Sequence, residues 1–189
     1  LHLSIRRQRQ MCIRDRILCP DCGFENIEGS DECQQCGQSL TTLHLAEPAT
    51  DVERSLLDDR VGVLNPKLPV AVTPETPVGE VLQQLVAQSI GCVIVVENEE
   101  LVGIFSERDA LQKLNVDFAA LREHPVSEYM TSDPQTLEAD SKVAFAVQRM
   151  DLGSYRHVPI VDNQGRPVGI VSVRDILRYL ADKMGAVET

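Results

Sequence analysis

No apolar run in this 189-residue chain approaches the roughly 20 residues that a bilayer-crossing helix needs, and nothing reads as a secretory leader with a small-residue cleavage site. A cytoplasmic location is the resulting expectation. Catalytic signatures are missing too: there is no phosphate-cradling P-loop, no Gly-x-Ser-x-Gly elbow and no His-Glu-x-x-His helix, and the acids are scattered over predicted helix faces and loops. An enzyme is therefore not expected. Basic residues are scarce, with 18 Lys and Arg against 29 Asp and Glu, a formal net charge of −11. From Ile17 to Leu40 there are none, while Asp21, Glu25, Glu28, Asp31 and Glu32 are all negative. Affinity for nucleic acid comes mainly from neutralising phosphates, so a nucleic-acid partner is not expected either. What remains, 43% hydrophobic and 25% charged, suffices for one good core plus a small satellite module.

The first 16 residues, "LHLSIRRQRQMCIRDR", resemble a translated sequencing adapter, with "MCIRDR" as the telling stretch, and are set aside from fold reasoning. The alternative is a basic, disordered tail. Excluding the five Arg and Asp15 of that stretch leaves 13 basic against 28 acidic residues, net −15.

Next comes "CPDCGFENIEGSDECQQCGQSL", which places Cys19, Cys22, Cys33 and Cys36 in two Cys-x2-Cys pairs ten residues apart, each followed by glycine, Gly23 or Gly37. In such a knuckle both sulfurs can face one ion, and glycine permits the tight turn. Two knuckles complete a tetrahedral thiolate site. Paired disulfides would need an oxidising compartment. Thiolates accept iron as well as zinc, so iron stays open, with zinc the preferred occupant in a structural role, because four protein ligands leave no position for a substrate. So short a segment is expected to depend on its metal for folding. The stretch from about Leu18 to Leu40 resembles the short zinc-ribbon family, with a small hairpin carrying Gly29 between the knuckles.

Thr41 to about Asp51 is polar, contains Pro48 and reads as a linker, and "DVERSLLDDRVGVL" then spaces Val52, Leu56, Leu57 and Val61 along one face of a short helix. The rest is an internal repeat. "GIFSERD" (103–109) returns as "GIVSVRD" (169–175), and the flanking patterns return in the same order. In the first half a strand near Val70, a helix carrying Val78, Val81, Leu82 and Leu85, the strands "CVIVV" and "LVGIF" and a closing helix follow one another. In the second half the same order is "QTL", a helix with Val143, Ala144, Val147 and Met150, "HVPIV", "PVGIV" and "VRDILRYLA". Each unit is predicted as β-α-β-β-α. Neither closes a core alone, so two copies packed about a pseudo-two-fold axis are expected to bury both sheet faces.

"GIFSERD" and "GIVSVRD", the "YRHVPIVD" strand and the "VSEYMTSDPQTL" approach resemble the CBS-domain family in its tandem arrangement, the Bateman module, over roughly Asn65 to Lys183. The organisation that follows is an α/β (α+β) chain: residues 1–16 adapter or tail, 17–40 zinc ribbon, 41–64 linker and short helix, 65–125 first CBS repeat and 126–185 second. The resemblance implies two clefts between the repeats for adenosine-containing ligands, with the Asp of each motif on ribose hydroxyls and the Ser or Thr near phosphate. It also implies homodimers. Each motif sits where a strand hands over to a helix, where free N–H groups favour an anion. A plainer role is capping, with Ser106 or Ser172 as N-cap and the acid three residues later supporting the first turn. The two uses can coexist.

The halves differ. Arg156 and His157 stand opposite Gly91 and Cys92, so only the second half supplies a guanidinium and an imidazole, which donate to phosphate oxygens. A cleft of Thr136, Arg156, His157, Ser172, Arg174 and Asp175 is therefore expected to bind the more tightly, the equivalent set being Thr73, Cys92, Ser106, Arg108 and Asp109. For His157 alone, a hydrogen bond at a strand edge is the competing reading. Cys92, opening an apolar strand, reads as a small buried hydrophobe. The function expected is non-enzymatic: a sensor of an AMP, ADP or ATP class ligand whose binding changes conformation or dimerisation and is read by a protein partner. The alternatives are a ligand-free dimerisation scaffold with the ribbon as docking module and, ranked lower, a nucleic-acid-associated regulator.

Overall fold

A computed structural model describes residues 16–27, 30–40, 50–114 and 118–187. The expectations for residues 1–15, for Gly29 and for most of the linker, 41–49, lie outside these. The chain divides into two compact units, 1–47 and 48–189.

In the first unit β1 (Arg16–Leu18) pairs antiparallel with β2 (Glu25–Ile27). Arg16, set aside with the preceding residues, belongs to this hairpin: it stands opposite Ile27 and its guanidinium lies 2.6 Å from Glu25. The two knuckles fold identically. The N–H of Cys19 donates to the Phe24 carbonyl and that of Gly23 to the Cys19 carbonyl, as Cys33 does to Gln38 and Gly37 to Cys33. Both glycines are left-handed, at φ 73° and 70°, the conformation that the absent Cβ makes available.

The second unit opens with α1 (Asp51–Asp58), capped by Thr50, whose hydroxyl accepts from the Glu53 N–H while the Glu53 carboxylate accepts from the Thr50 N–H. The first repeat follows as β3 (Ala71–Val72), α2 (Val78–Gln88), β4 (Cys92–Glu97), β5 (Glu100–Ser106) and α3 (Glu107–Asp109), which continues as a π-helical turn over Ala110–Leu114. After α4 (Phe118–Leu121) and β6 (Thr131–Ser132), the second repeat runs β7 (Leu137–Glu138), α5 (Val143–Leu152), β8 (His157–Val161), β9 (Pro167–Ser172) and α6 (Val173–Val187). Both copies show the β-α-β-β-α order that the repeat implied. The β4–β5 hairpin turns on Asn98 and Glu99, both at positive φ (51° and 70°), the requirement of a two-residue type I′ turn.

The pairing pattern shows how the copies interlock. β6 precedes β7 of the second repeat, yet it completes the first repeat's sheet, in the order β3-β4-β5-β6. Reciprocally, Lys67, ahead of β3 of the first repeat, exchanges backbone hydrogen bonds of 3.1 and 2.9 Å with Ile170 of β9. The cores follow suit. Val126 is buried with Val78, Val93, Val95 and Phe105 of the first repeat, whereas Val61 and Leu64 are buried with Val143, Val158, Ile160 and Val171 of the second. Each repeat is thus closed by the segment that leads into the other, a closure more specific than the packing of two sheets foreseen from the sequence. It also explains the glycine that opens both motifs. A Cβ on Gly103 would run into the Met130 side chain, and one on Gly169 would come within 2.7 Å of the Pro66 Cβ.

The α1 stripe serves the same closure: Leu56 packs against the second core, Val61 is fully buried, and Val52 and Leu57 are half-buried. At its end the Asp59 carboxylate accepts from the Tyr179 hydroxyl and the Lys183 ammonium, both at 2.8 Å, fastening α1 to α6.

Candidate functional sites

The four cysteines predicted as ligands converge. Their sulfurs all lie within 4.8 Å of one another, with Cys19 to Cys36 at 3.7 Å and Cys22 to Cys33 at 3.6 Å. A disulfide holds its sulfurs at about 2.05 Å, so these four are free thiols. A tetrahedron with metal–sulfur bonds of about 2.3 Å has edges of about 3.8 Å. The four residues therefore fit one ion of that class. Asn26, which the sequence reading passed over, is buried and braces the second knuckle: its amide donates to the Cys33 sulfur (3.5 Å) and its carbonyl oxygen accepts from the Gln34 N–H (3.0 Å). Burial pushes the Cys33 thiol up, but the N–H groups of Cys36 and Gln35 and the Asn26 amide outweigh it and hold it at about 6. Its thiolate is favoured.

In the second unit both Ser-x-x-Asp motifs close on themselves. The Asp109 carboxylate accepts from the Ser106 N–H (3.0 Å) and hydroxyl (2.6 Å), and Asp175 accepts from the Ser172 N–H (2.9 Å) and hydroxyl (2.6 Å). The Ser106 hydroxyl also accepts from the Asp109 N–H, completing a capping box. Both carboxylates are buried. Burial alone would raise their pKa, but the serine donors with Lys113 at Asp109, and with Lys67 and Arg178 at Asp175, hold both below the ordinary carboxylate value.

His157 lies between the motifs. It stands opposite Ser172 in the β8–β9 ladder, and its imidazole fills the space over Gly91, where an added Cβ would meet it at 2.7 Å. Burial lowers its pKa, against the opposing carboxylates of Glu107 and Asp175, and the Arg156 and Arg174 guanidiniums add to the lowering. Its neutral form is favoured. Cys92 matches its reading as a buried thiol: burial, with the Glu107 and Asp109 carboxylates, pushes it to about 12.

The structure groups the remaining candidates differently from the sequence alignment. A cavity of about 200 Å³ is lined by Ser106, Arg108 and Asp109 of the first motif together with Arg156 and His157 of the second half. Arg156 and His157 had been assigned to the cleft of the second motif alone, but the interlocked repeats turn the start of β8 toward the first motif. Arg108 crosses the seam, donating to the Ser154 carbonyl at 2.9 Å. Arg174 lines a separate groove with Arg156 and the apolar side chains of α2. Thr136 precedes β7 whereas Thr73 follows β3, so the two threonines are not structural equivalents, and Thr136 does not line the cavity. Thr73 is exposed and its hydroxyl is 3.1 Å from that of Thr76. Further cavity residues were given no role in the sequence reading, Tyr155 and Thr131 among them. Tyr155, lying against Gly153, offers an aromatic face, and the Thr131 hydroxyl donates to Asp109 at 3.1 Å. Tyr155 opens the quoted "YRHVPIVD" stretch. Thr131 gave no signal, because its strand is two residues long.

The sequence model of the CBS domain matches residues 65–116 and 126–182. The chain belongs to the CBS-domain family. An uncharacterized 17.7 kDa protein of Acidianus ambivalens is 33% identical over 113 residues, 59% of this chain and 66% of that one. The solved CBS domain protein PAE2072 from Pyrobaculum aerophilum, complexed with AMP, is 26% identical with a TM-score of 0.56 over 66% of this chain and 99% of that one. The CBS domain pair of protein MJ0100, in complex with 5′-methylthioadenosine and S-adenosyl-L-methionine, is 26% identical with a TM-score of 0.58 over 66% and 98%. The chain spans from about a fifth to two thirds of the length of the curated relatives it matches, the fifth being an inosine-5′-monophosphate dehydrogenase matched through 110 residues of this chain. No helix among the described residues is long and apolar enough to cross a membrane.

Proposed function

We propose that this CBS protein is a non-enzymatic, cytoplasmic sensor of an adenine nucleotide, with a zinc ribbon as its docking or assembly module. The observation that carries the reading is the cavity at the seam of the two repeats, where Ser106, Arg108 and Asp109 of the first motif meet Arg156 and His157 of the second half, His157 standing opposite Ser172 of the second motif. An acceptor for ribose hydroxyls, cations for phosphate and an aromatic face are the chemistry an adenosine ligand needs. The adenosine compounds held by two CBS relatives support the same class. Asp175 takes the ribose in this reading, with Ser172, Thr136 and Arg174 around it and Arg156 and His157 toward the phosphate. A ligand that favours one arrangement of the interlocked repeats shifts their orientation or a homodimer, and a protein partner reads the shift. The four cysteines hold a single zinc, which fixes the ribbon's fold.

Ligand that binds only the folded state must stabilise it, by about 2.7 kcal/mol at 100 times its dissociation constant. Thermal unfolding of the full chain in saturating AMP is therefore expected to shift upward by roughly 5 °C or more. No shift with AMP, ADP, ATP or S-adenosylmethionine contradicts the reading. It would favour the scaffold alternative, for which the closed capping box at Ser106 and Asp109 speaks.

A further inference from the structure

We infer that Asn26 is a positioning residue of the metal centre: it aims the Cys33 sulfur at the ion and draws charge from its thiolate through an N–H···S hydrogen bond. The inference deepens the zinc reading above and rests on it. Asn26 pairs with Ile17 across the β1–β2 ladder, and Ile17 packs against the buried cluster of Cys19, Cys33 and Leu40. Asn26 itself is 2% exposed. An asparagine amide has two donor hydrogens and an acceptor oxygen, and here they reach both knuckles. The amide nitrogen donates to the Phe24 carbonyl (2.9 Å), which closes the first knuckle, and to the Cys33 sulfur (3.5 Å) of the second. The carbonyl oxygen accepts from the Gln34 N–H (3.0 Å). One side chain therefore ties the two pairs of ligands together.

The likeness of the knuckles isolates what Asn26 adds. The seventh position after the first cysteine is Asn26 in one and Leu40 in the other, and both are buried. Leucine fills such a volume but has no donor to offer a sulfur. Four thiolates on one divalent ion leave an excess of negative charge, which hydrogen bonds to sulfur disperse. Removing a partner that stands behind a ligand costs about 10- to 100-fold in metal affinity.

Cobalt(II) titration of the full chain, with zinc competed against a chromogenic chelator, tests this, because thiolate-to-cobalt charge transfer reports on the sulfur electrons themselves. The wild type is expected to bind one cobalt in a tetrahedral thiolate site. Asn26→Leu keeps the volume and loses all three hydrogen bonds, whereas Asn26→Asp keeps the acceptor for Gln34 and loses the donor to sulfur. Each is expected to bind zinc about 10- to 100-fold more weakly and to move the charge-transfer band to lower energy. Asn26→Asp decides the matter if Asn26→Leu fails to fold. Wild-type zinc affinity or an unmoved band in Asn26→Asp overturns the inference and leaves Asn26 a backbone brace, and no cobalt bound at saturation overturns it by making Asn26 a folding residue. All three outcomes leave the zinc reading intact. A wild type that binds no cobalt overturns the zinc reading and the inference with it.

Discussion

Replacing Asp175 with Ala is expected to weaken AMP binding by roughly 10- to 100-fold, while the same change at Asp109 leaves affinity within about threefold. Hydrogen bonds to a charged group contribute about 1.5–3 kcal/mol, and each 1.4 kcal/mol is a tenfold change. Asp175 belongs to the motif that pairs directly with His157, through Ser172, and among the described residues its Oδ1 meets the exposed Arg178 guanidinium. It is also a structural residue, holding the N–H and hydroxyl of Ser172 at the start of α6. Loss of that local support costs about 1 kcal/mol of stability, so the titration belongs well below the unfolding temperature of the variant. Equal losses at both positions would place the ribose across the two motifs, and a loss at Asp109 alone would reverse the ranking.

The other large effect concerns the ribbon. Cys33→Ser, or a strong chelator added to the full chain, is expected to remove one equivalent of zinc and to abolish hydrogen-exchange protection over residues 16–40, with the CBS repeats still protected. The reason lies in what the first unit has for a core. Its buried cluster is Cys19, Cys33 and Leu40, with Ile17 and Cys36 against it, so the metal ligands are most of the apolar interior. Strands of three residues cannot hold themselves together, and structural zinc in peptides of this kind supplies about 10–16 kcal/mol of apparent binding energy. The repeats have two cores of their own. Protection of residues 16–40 that survived complete metal removal would show that the fold does not depend on the ion.

How much of this was legible in the sequence depends on the range of the interaction. The knuckles announced themselves, since Cys-x2-Cys-Gly states ligand type, spacing and the left-handed turn within five residues. The repeat was equally plain, because seven residues recur and bring their strand and helix patterns with them. Exchange of the leading segments was not visible. Lys67 and Thr131 act through pairing with Ile170 and Ile104, some 103 and 27 residues away, and strands this short carry no period-2 signal. For that reason Arg156 and His157 were assigned to their own repeat's motif, and the cavity places them beside the other's. Thr73 and Thr136 were paired by residue type, a guide that fails when the register differs.

The most direct measurement is a crystal structure of the full chain grown with AMP. The expected electron density shows nucleotide at the seam of the repeats, its ribose hydroxyls on the Asp175 carboxylate and its phosphate beside Arg156 and His157. Nucleotide lying away from both Ser-x-x-Asp motifs, or no nucleotide at a concentration that saturates other CBS modules, would contradict the claim that the seam between the repeats reads adenosine.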